Sequence, residues 1–213
     1  MFEQVLPGNA KKSLDSLGQS GLLKKAYLAG GTALALQIGH RVSVDFDFFT
    51  EEHFNAAVLS NKLSQKAQGF TEDRKERDTL LGVIDKTRFS LFFYNYPLVA
   101  KSVEFLDIDI ANIQDIAAMK LAAVSDRGIK RDFIDLYFIV CKEKAVSLEE
   151  VFSLYDKKFK ALDKNVMHLL RSLTYFEEAE QTNIPKMLKA VKWQDVKKFF
   201  EIETKYLAKR LIL

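Results

Sequence analysis

The chain has 213 residues, of which 48% are apolar and 29% are charged, and its formal net charge is +3. The single cysteine excludes an intramolecular disulfide and a cysteine zinc cluster, and so small a net charge does not by itself indicate a nucleic-acid-binding protein. No apolar run approaches the ~20 residues that cross a bilayer, and the first residues lack a secretory signal pattern. We therefore expect a cytoplasmic protein with no membrane partner.

The first half of the chain mixes helical and strand-like segments. A short amphipathic helix is predicted within residues 6–23, and AYLAGG at 26–31 predicts a strand that meets a turn at a glycine pair. TALALQIGH predicts a helix that starts at Thr32 and is closed by Gly39, and alternation in SVDFDFFT predicts a strand over 43–50. A helix over 55–69 follows, and then strand-like runs at 79–85, 88–95 and 101–109, with a hairpin turn at Asp85-Lys86.

The pattern becomes helical after about residue 110. Helical periodicity is found at 115–127, 130–143, 147–159, 166–180 and 193–211. The sequence thus predicts an α+β fold, in which a mixed sheet with flanking helices over 1–110 is followed by a helical C-terminal domain over 111–213. We expect the helical domain to complete an active-site cleft, because junctions of this kind commonly hold small-molecule sites.

Two acidic residues, Asp45 and Asp47, stand out in the strand predicted over 43–50. Alternate residues of a strand share a face, so both carboxylates are expected on one side and the intervening apolar residues in the core. Two neighbouring carboxylates repel each other unless a cation lies between them. A hard divalent ion such as Mg²⁺ or Mn²⁺ accepts such oxygen ligands, and nucleotide phosphates supply more.

The glycine pair Gly30-Gly31 fits a complementary role. Glycine lets the backbone approach a ligand closely, and a helix that starts at Thr32 aims free N–H groups and its positive dipole end at a bound phosphate. Thr32 is expected to cap that helix and to offer a hydroxyl. Neither the glycine pair nor the Asp-x-Asp is informative alone, but strand, turn, helix and strand at this spacing predict a phosphate site beside a metal site.

The stretch GGTALALQIGHRVSVDFDFF at 30–49 resembles the first motif of the AbiEii/AbiGii abortive-infection toxin family within the DNA polymerase β-like nucleotidyltransferase superfamily. The later run DIAAMKLAAVSDRGIKRDFIDLYFI resembles the family's second motif, and the resemblance extends over nearly the whole chain. It implies a nucleotidyltransferase core followed by a helical domain. The implied activity is transfer of a nucleotide from an NTP to an acceptor, such as tRNA, another RNA or a protein, with a cognate antitoxin as a partner.

The resemblance also implies roles for individual residues. Asp45 and Asp47 match the metal-binding acids, and Gly30, Gly31 and Thr32 match the phosphate loop. Arg41 and Ser43 match a segment that faces the nucleotide, and Lys120 matches a lysine that would neutralise triphosphate charge. Asp132 and Asp135 match the later acidic motif, and spacing does not decide whether they position the lysine or act as a base. As neighbours on one helix they also suit simple ion pairs.

One departure from the superfamily pattern concerns a third carboxylate on a neighbouring strand. The matching strand is expected to be RFSLFFYN, whose central polar residue is Ser90, although Glu104, Asp107 and Asp109 lie nearby in the sequence. Loss of that acid would weaken the general-base step, so a catalytically weak nucleotide- or RNA-binding protein is the alternative. A haloacid dehalogenase-type phosphatase is disfavoured, because that motif needs a small residue where Phe49 stands.

Overall fold

The computed structural model describes the backbone of residues 1–212 and the side chains of 1–162 and 165–210. The contacts within the chain divide it into two compact units. Unit 1 comprises Met1–Asn112, and unit 2 begins at Ile113.

Within the described residues of unit 1, seven strands form a single mixed sheet in the order β3-β4-β5-β2-β1-β7-β6. The strands are β1 (Tyr27–Ala29), β2 (Phe46–Thr50), β3 (Phe70–Glu76), β4 (Thr79–Ile84), β5 (Thr87–Phe93), β6 (Val103–Phe105) and β7 (Ile108–Ile110). In the centre, β2 runs antiparallel to β1 and parallel to β5, and β1 runs parallel to β7. This arrangement, with its flanking helices, confirms the predicted α+β class.

Unit 1, all of whose residues are described, has three α-helices, and capping residues mark the end of one and the start of another. The helices are α1 (Gly8–Gln19), α2 (Gly30–Ile38) and α3 (Ala56–Lys66), preceded by a 3-10 turn at Glu3–Val5. Gly39 closes α2 with a left-handed backbone (φ 65°), as predicted. The side chain of Asn55 accepts a 3.0 Å hydrogen bond from the amide of Val58 and so caps the start of α3.

The central strands have one fully buried face. Phe46 and Phe48 are fully buried, whereas Asp47 and Phe49 between and after them are half-buried. Phe48 pairs in register with Leu28 of β1 and with Leu91 of β5, both of which are also buried. The opposite face of the sheet therefore presents Asp47 and Phe49, and it is the face on which the candidate site lies.

Two segments of the sheet differ from the prediction. Strand β3 was not expected, because FTEDRKE is highly charged and every residue in it but Phe70 is exposed. It forms an edge strand through backbone pairing with β4, and charges suit an exposed edge. The run at 101–109 is a hairpin rather than one strand, because Leu106 and Asp107 adopt left-handed backbones (φ 52° and 55°).

Unit 2 is helical in its described residues. Its helices are α4 (Ile113–Asp126), α5 (Lys130–Tyr137), α6 (Leu148–Phe159), α7 (Leu162–Ser172), α8 (Glu177–Glu180) and α9 (Trp193–Ile212), with a π-helical turn at Phe138–Lys142 after α5. The buried ring of Phe133 packs against Phe176, Trp193 and Phe200. The run at 166–180 contains two helices rather than one, since the chain leaves α7 after Ser172. No helix among the described residues is both long and apolar enough to cross a membrane.

Candidate functional site

The glycine pair lies at the point where β1 ends and α2 begins. Gly30 has a left-handed backbone (φ 70°), and a Cβ added there would lie 3.1 Å from Oδ2 of Asp47. A Cβ on Gly31 would lie 2.1 Å from Nη2 of Arg41, which is closer than real contacts allow. A side chain at either glycine would therefore displace a neighbour, Asp47 at Gly30 and the end of Arg41 at Gly31.

Thr32 and Ser43 connect the first turn of α2 to the segment before β2. The Thr32 hydroxyl lies 2.9 Å from Oγ of Ser43 and donates across 2.6 Å to the backbone carbonyl of Asp45. The prediction that Thr32 starts and caps the helix is wrong: α2 begins two residues earlier, and its N-cap residue, Ala29, makes no side-chain capping bond. Thr32 instead holds the acidic segment against the glycine turn.

The two acidic residues differ in how they contact the glycine turn and the helix that follows it, Asp47 through its side chain and Asp45 through its backbone. Asp47 lies inside β2, opposite Ala29 in register, and its carboxylate reaches Gly30. Asp45 lies just before the strand, because β2 begins at Phe46 rather than at Ser43. Its backbone is anchored by Thr32 and its side chain is half-buried. The prediction that the two carboxylates share one face of a strand therefore rests on strand geometry that only Asp47 has, because Asp45 lies outside β2.

Ser90 occupies the position beside Asp47 on the neighbouring strand β5. The two residues are register partners, and the Ser90 hydroxyl donates a 2.8 Å hydrogen bond to Oδ1 of Asp47. Asp109 lies on β7, which pairs with β1 on the other side, and it accepts a 2.7 Å hydrogen bond from Ser102. The register neighbours of Asp47 are therefore Ala29 and Ser90, and neither is an acid.

The oxygen atoms at the turn suit a hard divalent cation that binds together with a phosphate-bearing ligand. Oδ2 of Asp47 is the carboxylate oxygen that faces the turn, and Thr32 holds the backbone of Asp45, the second acid, against the same turn. Among the described residues there is no group of three or more His, Cys, Asp or Glu side chains arranged to hold a metal ion. Two carboxylates leave most of an octahedral magnesium shell to water and phosphate oxygens, so these residues fit a shared metal better than a tightly held one.

The remaining predicted residues form a separate cluster in unit 2. Nζ of Lys120 lies 2.9 Å from Oδ1 of Asp132 and 2.6 Å from Oδ2 of Asp135, and all three side chains are buried. Arg127 adds a 2.8 Å contact from Nε to Asp132. Both carboxylates contact the Lys120 ammonium directly, as they must if they position the lysine. The same contacts also suit an ion network that stabilises the packing of α4 against α5.

The charge balance of this cluster is visible in Asp132. Burial by itself would raise the pKa of Asp132, but the Lys120 ammonium, followed by the Arg127 guanidinium, outweighs it and holds the pKa below its usual value. Asp132 is therefore ionised at neutral pH, and the lysine between two carboxylates has its charge fully compensated.

A second buried ion pair in unit 2 was missed by the sequence analysis. Nζ of Lys158 lies 2.9 Å from Oδ1 of Asp115, and both side chains are completely buried. Lys158 stands in the run DKKFK, which has the composition of a solvated helix face, so the sequence gives no signal of its burial. Only the packing of α6 against α4 brings the two charges together.

Comparison with known proteins identifies the class. The family model described as "Nucleotidyl transferase AbiEii toxin, Type IV TA system" matches residues 12–110. Over 199 residues the chain is 35% identical to the uncharacterized protein aq_aa25 of Aquifex aeolicus, with 92% of this chain and 94% of that protein covered. The described fold, with its strand, glycine turn, helix and acid pair, is that of a nucleotidyltransferase.

Two solved structures share the fold at low sequence identity. One is a Helicobacter pylori protein assigned as a nucleotidyltransferase, with a TM-score of 0.57 and 20% identity over 95% of each chain. The other is JHP933 from Helicobacter pylori, with a TM-score of 0.54 and 18% identity over 97% of this chain and 94% of that one. The chain belongs to the AbiEii nucleotidyltransferase family, as its motifs predicted.

Proposed function

We propose that the chain is a metal-dependent nucleotidyltransferase that moves an NMP from an NTP to an acceptor hydroxyl. The observation that carries the proposal is the packing of Asp47 on Gly30. A Cβ added at Gly30 would lie only 3.1 Å from Oδ2 of Asp47. A carboxylate held against an open glycine turn at a helix start is the arrangement that a metal-bound triphosphate needs.

In the proposed reaction the acceptor hydroxyl gives its proton to water as its oxygen bonds to the α-phosphorus, the bond between that phosphorus and the bridging oxygen breaks, and pyrophosphate leaves. Gly30, Gly31 and Thr32 bind the leaving phosphates through backbone N–H groups, and the guanidinium of Arg41 beside Gly31 balances their charge. Asp45 and Asp47 would hold Mg²⁺ or Mn²⁺, which would supply positive charge against the charge that develops on the phosphates. Ser43 orients Thr32 through their hydroxyl contact.

The proposal extends to the cluster in unit 2 and to partners. The resemblance assigns Lys120 to the charge of the triphosphate. The contacts of 2.9 and 2.6 Å between its ammonium and the carboxylates of Asp132 and Asp135 support a positioning role for the two aspartates rather than a role as bases. Because the family is one of toxins in type IV systems, we propose a toxin-like role in phage defence with a cognate antitoxin partner. The acceptor is an RNA, such as tRNA, or a protein.

A second candidate function is nucleotide or RNA binding with weak catalysis. It is favoured by Ser90, which occupies the register position beside Asp47 where an acid would serve as the general base. A serine hydroxyl that donates to Asp47 does not accept a proton at neutral pH, so removal of the acceptor's proton would be left to water.

The test is to incubate the full chain with labelled NTPs, Mg²⁺ and total tRNA. Label on RNA or on protein is expected from the wild type, and Asp45→Asn and Asp47→Asn should abolish it. Asp73→Asn, an exposed acid on the edge strand β3, is the matched control and should label normally. Labelling that survives Asp47→Asn would rule out the assigned site, and NTP binding without any labelling would support the second function.

A further inference from the structure

One edge of the sheet in unit 1 is the strand β3. Among the described residues β3 pairs with β4 alone, and residues 71–76 of this seven-residue strand are all exposed. An edge strand of this length presents a row of backbone N–H and C=O groups, which is a template for pairing with another strand. The edge is therefore a surface on which a further strand can add to the sheet.

The charges of β3 are arranged in two halves of opposite sign. Glu72 and Asp73 are followed directly by Arg74 and Lys75. When two copies of such a strand pair in antiparallel direction about the middle of the run, each acid meets a base of the other copy. Parallel pairing in register would instead set every charge against its own copy, and like charges opposite each other destabilise a pair of strands. The order of the charges therefore selects an antiparallel pair.

A β-bulge at Asp73 makes this pairing geometrically possible. The register of β3 with β4 skips Asp73, which is the extra residue of the bulge. Residues three apart in a regular strand lie on opposite faces, but the bulge brings Glu72 and Lys75 to the same face. Their contact agrees with this, since Nζ of Lys75 lies 3.0 Å from Oε1 of Glu72.

The shared face matters because of the symmetry of a dimer. Residues directly opposite each other in an antiparallel pair lie on one face, and a two-fold axis perpendicular to the sheet keeps each side chain on its own face. Glu72 can therefore stand opposite Lys75 of another copy only if the two residues share a face within one chain. Without the bulge, this register would not be open to a symmetric pair of strands.

From these observations we infer that the edge binds a second copy of the chain. Two β3 strands pair antiparallel about a two-fold axis beside Asp73 and Arg74, and they join the two seven-stranded sheets into one. Glu72 and Lys75 of both copies form a ring of alternating charge, with the observed pair within each copy and a second kind of pair across the axis. None of these four residues belongs to the site assigned to nucleotidyl transfer.

The association is expected to be weak and sensitive to salt. One strand of seven residues buries less area than a permanent dimer needs. The charged side chains are exposed, so dissolved ions screen their attraction. We therefore expect an equilibrium between monomer and dimer that shifts toward the monomer when salt is raised from about 0.01 M to about 1 M.

The experiment is a charge exchange in the full chain, read by sedimentation equilibrium at low salt. Glu72→Lys gives a copy with bases at both positions of the ring, and Lys75→Glu gives a copy with acids at both. Each variant alone should dimerise at least about 10-fold more weakly than the wild type, because its charges repel across the axis. An equimolar mixture should recover the dimer, since the bases of one variant then face the acids of the other.

The matched controls are Glu201→Lys and Lys198→Glu on α9. They reverse an exposed acid and an exposed base three residues apart, so they change the net charge by the same amounts. Both should dimerise like the wild type. Recovery of the dimer in the mixture of Glu72→Lys and Lys75→Glu would also exclude misfolding as the reason for the loss in each variant alone.

Three results would overturn the inference. The first is a wild-type chain that stays monomeric at its highest soluble concentration in low salt, as expected if the edge serves the strand of a different protein. The second is wild-type dimerisation in both Glu72→Lys and Lys75→Glu. The third is a mixture of these variants that is no more dimeric than its components. Because the NTP-labelling assay reads a separate site, none of the three bears on nucleotidyl transfer.

Discussion

The Ser90 hydroxyl donates a 2.8 Å hydrogen bond to Oδ1 of Asp47, across the parallel pair formed by β5 and β2. The bond occupies one carboxylate oxygen and leaves Oδ2 as the oxygen nearest the glycine turn. Ser90 thereby orients the acid, and it occupies the position on the neighbouring strand at which the resemblance led us to look for a third carboxylate.

Replacement of Ser90 by aspartate tests that position. Ser90→Asp places a second carboxylate in contact with Asp47, and like charges at this distance destabilise each other unless a cation bridges them. We expect the melting temperature of Ser90→Asp to fall below that of the wild type in EDTA and to recover with Mg²⁺ by more than the wild type does. Ser90→Ala, which adds no charge, should show no enhanced Mg²⁺ response. Equal Mg²⁺ shifts in Ser90→Asp and wild type would argue against a metal at Asp47.

Alanine at the glycine turn is expected to reduce both stability and NTP binding. Gly30→Ala forces a left-handed backbone on an L-residue, which costs about 1–2 kcal/mol, and presses on Asp47. Gly31→Ala displaces the guanidinium of Arg41, which is 5% exposed and has little room to move. Urea denaturation and NTP titration measure the two effects. Gly8→Ala is the control, since nothing lies within 4 Å of its added Cβ; similar behaviour of all three variants would refute the close packing.

Replacement of Lys120 by methionine leaves two buried carboxylates without their common cation. The free energy of unfolding should fall by about 3–5 kcal/mol, because removal of the lysine leaves the buried carboxylates without the positive charge that compensated them. Lys25→Met removes an ion pair with Glu52 in which both side chains are largely exposed, and it should have little effect. Chemical denaturation compares the two. A Lys120→Met variant as stable as Lys25→Met but inactive in labelling would show that the lysine serves catalysis and not the fold.

Acid should weaken the protein through Asp132. Its pKa is lower in the folded state than in the unfolded chain, so the stability it contributes is full above the unfolded value of about 4 and is lost as pH falls through the folded value. The free energy of unfolding is expected to decline more steeply below pH 4 in the wild type than in Asp132→Asn. Asp73→Asn should keep the wild-type slope. A slope unchanged in Asp132→Asn would contradict the assigned charge balance.

Much of the fold and part of the site follow from local patterns in the sequence. The alternation of Phe46 and Phe48 with Asp47 predicted a half-buried strand, because strand faces alternate with a period of two. Gly39 ended a helix and Asp85-Lys86 formed a hairpin turn with left-handed backbones, as their residue types predicted. The family followed from two motifs, of which the first, at 30–49, lies within the residues that the family model matches. Charged β3 escaped prediction because its edge position depends on its partner strand.

The sequence by itself determined which residues form the candidate site, since Asp47 and the glycine pair are set by local spacing along one strand, turn and helix. Tertiary structure alone decided what each of them contacts. The register of β2 with β5 brought Ser90 to Asp47, and the packing of α4 with α5 buried Lys120 between Asp132 and Asp135. Such contacts join residues 12 to 43 positions apart, and no local periodicity encodes the register or packing that unites them.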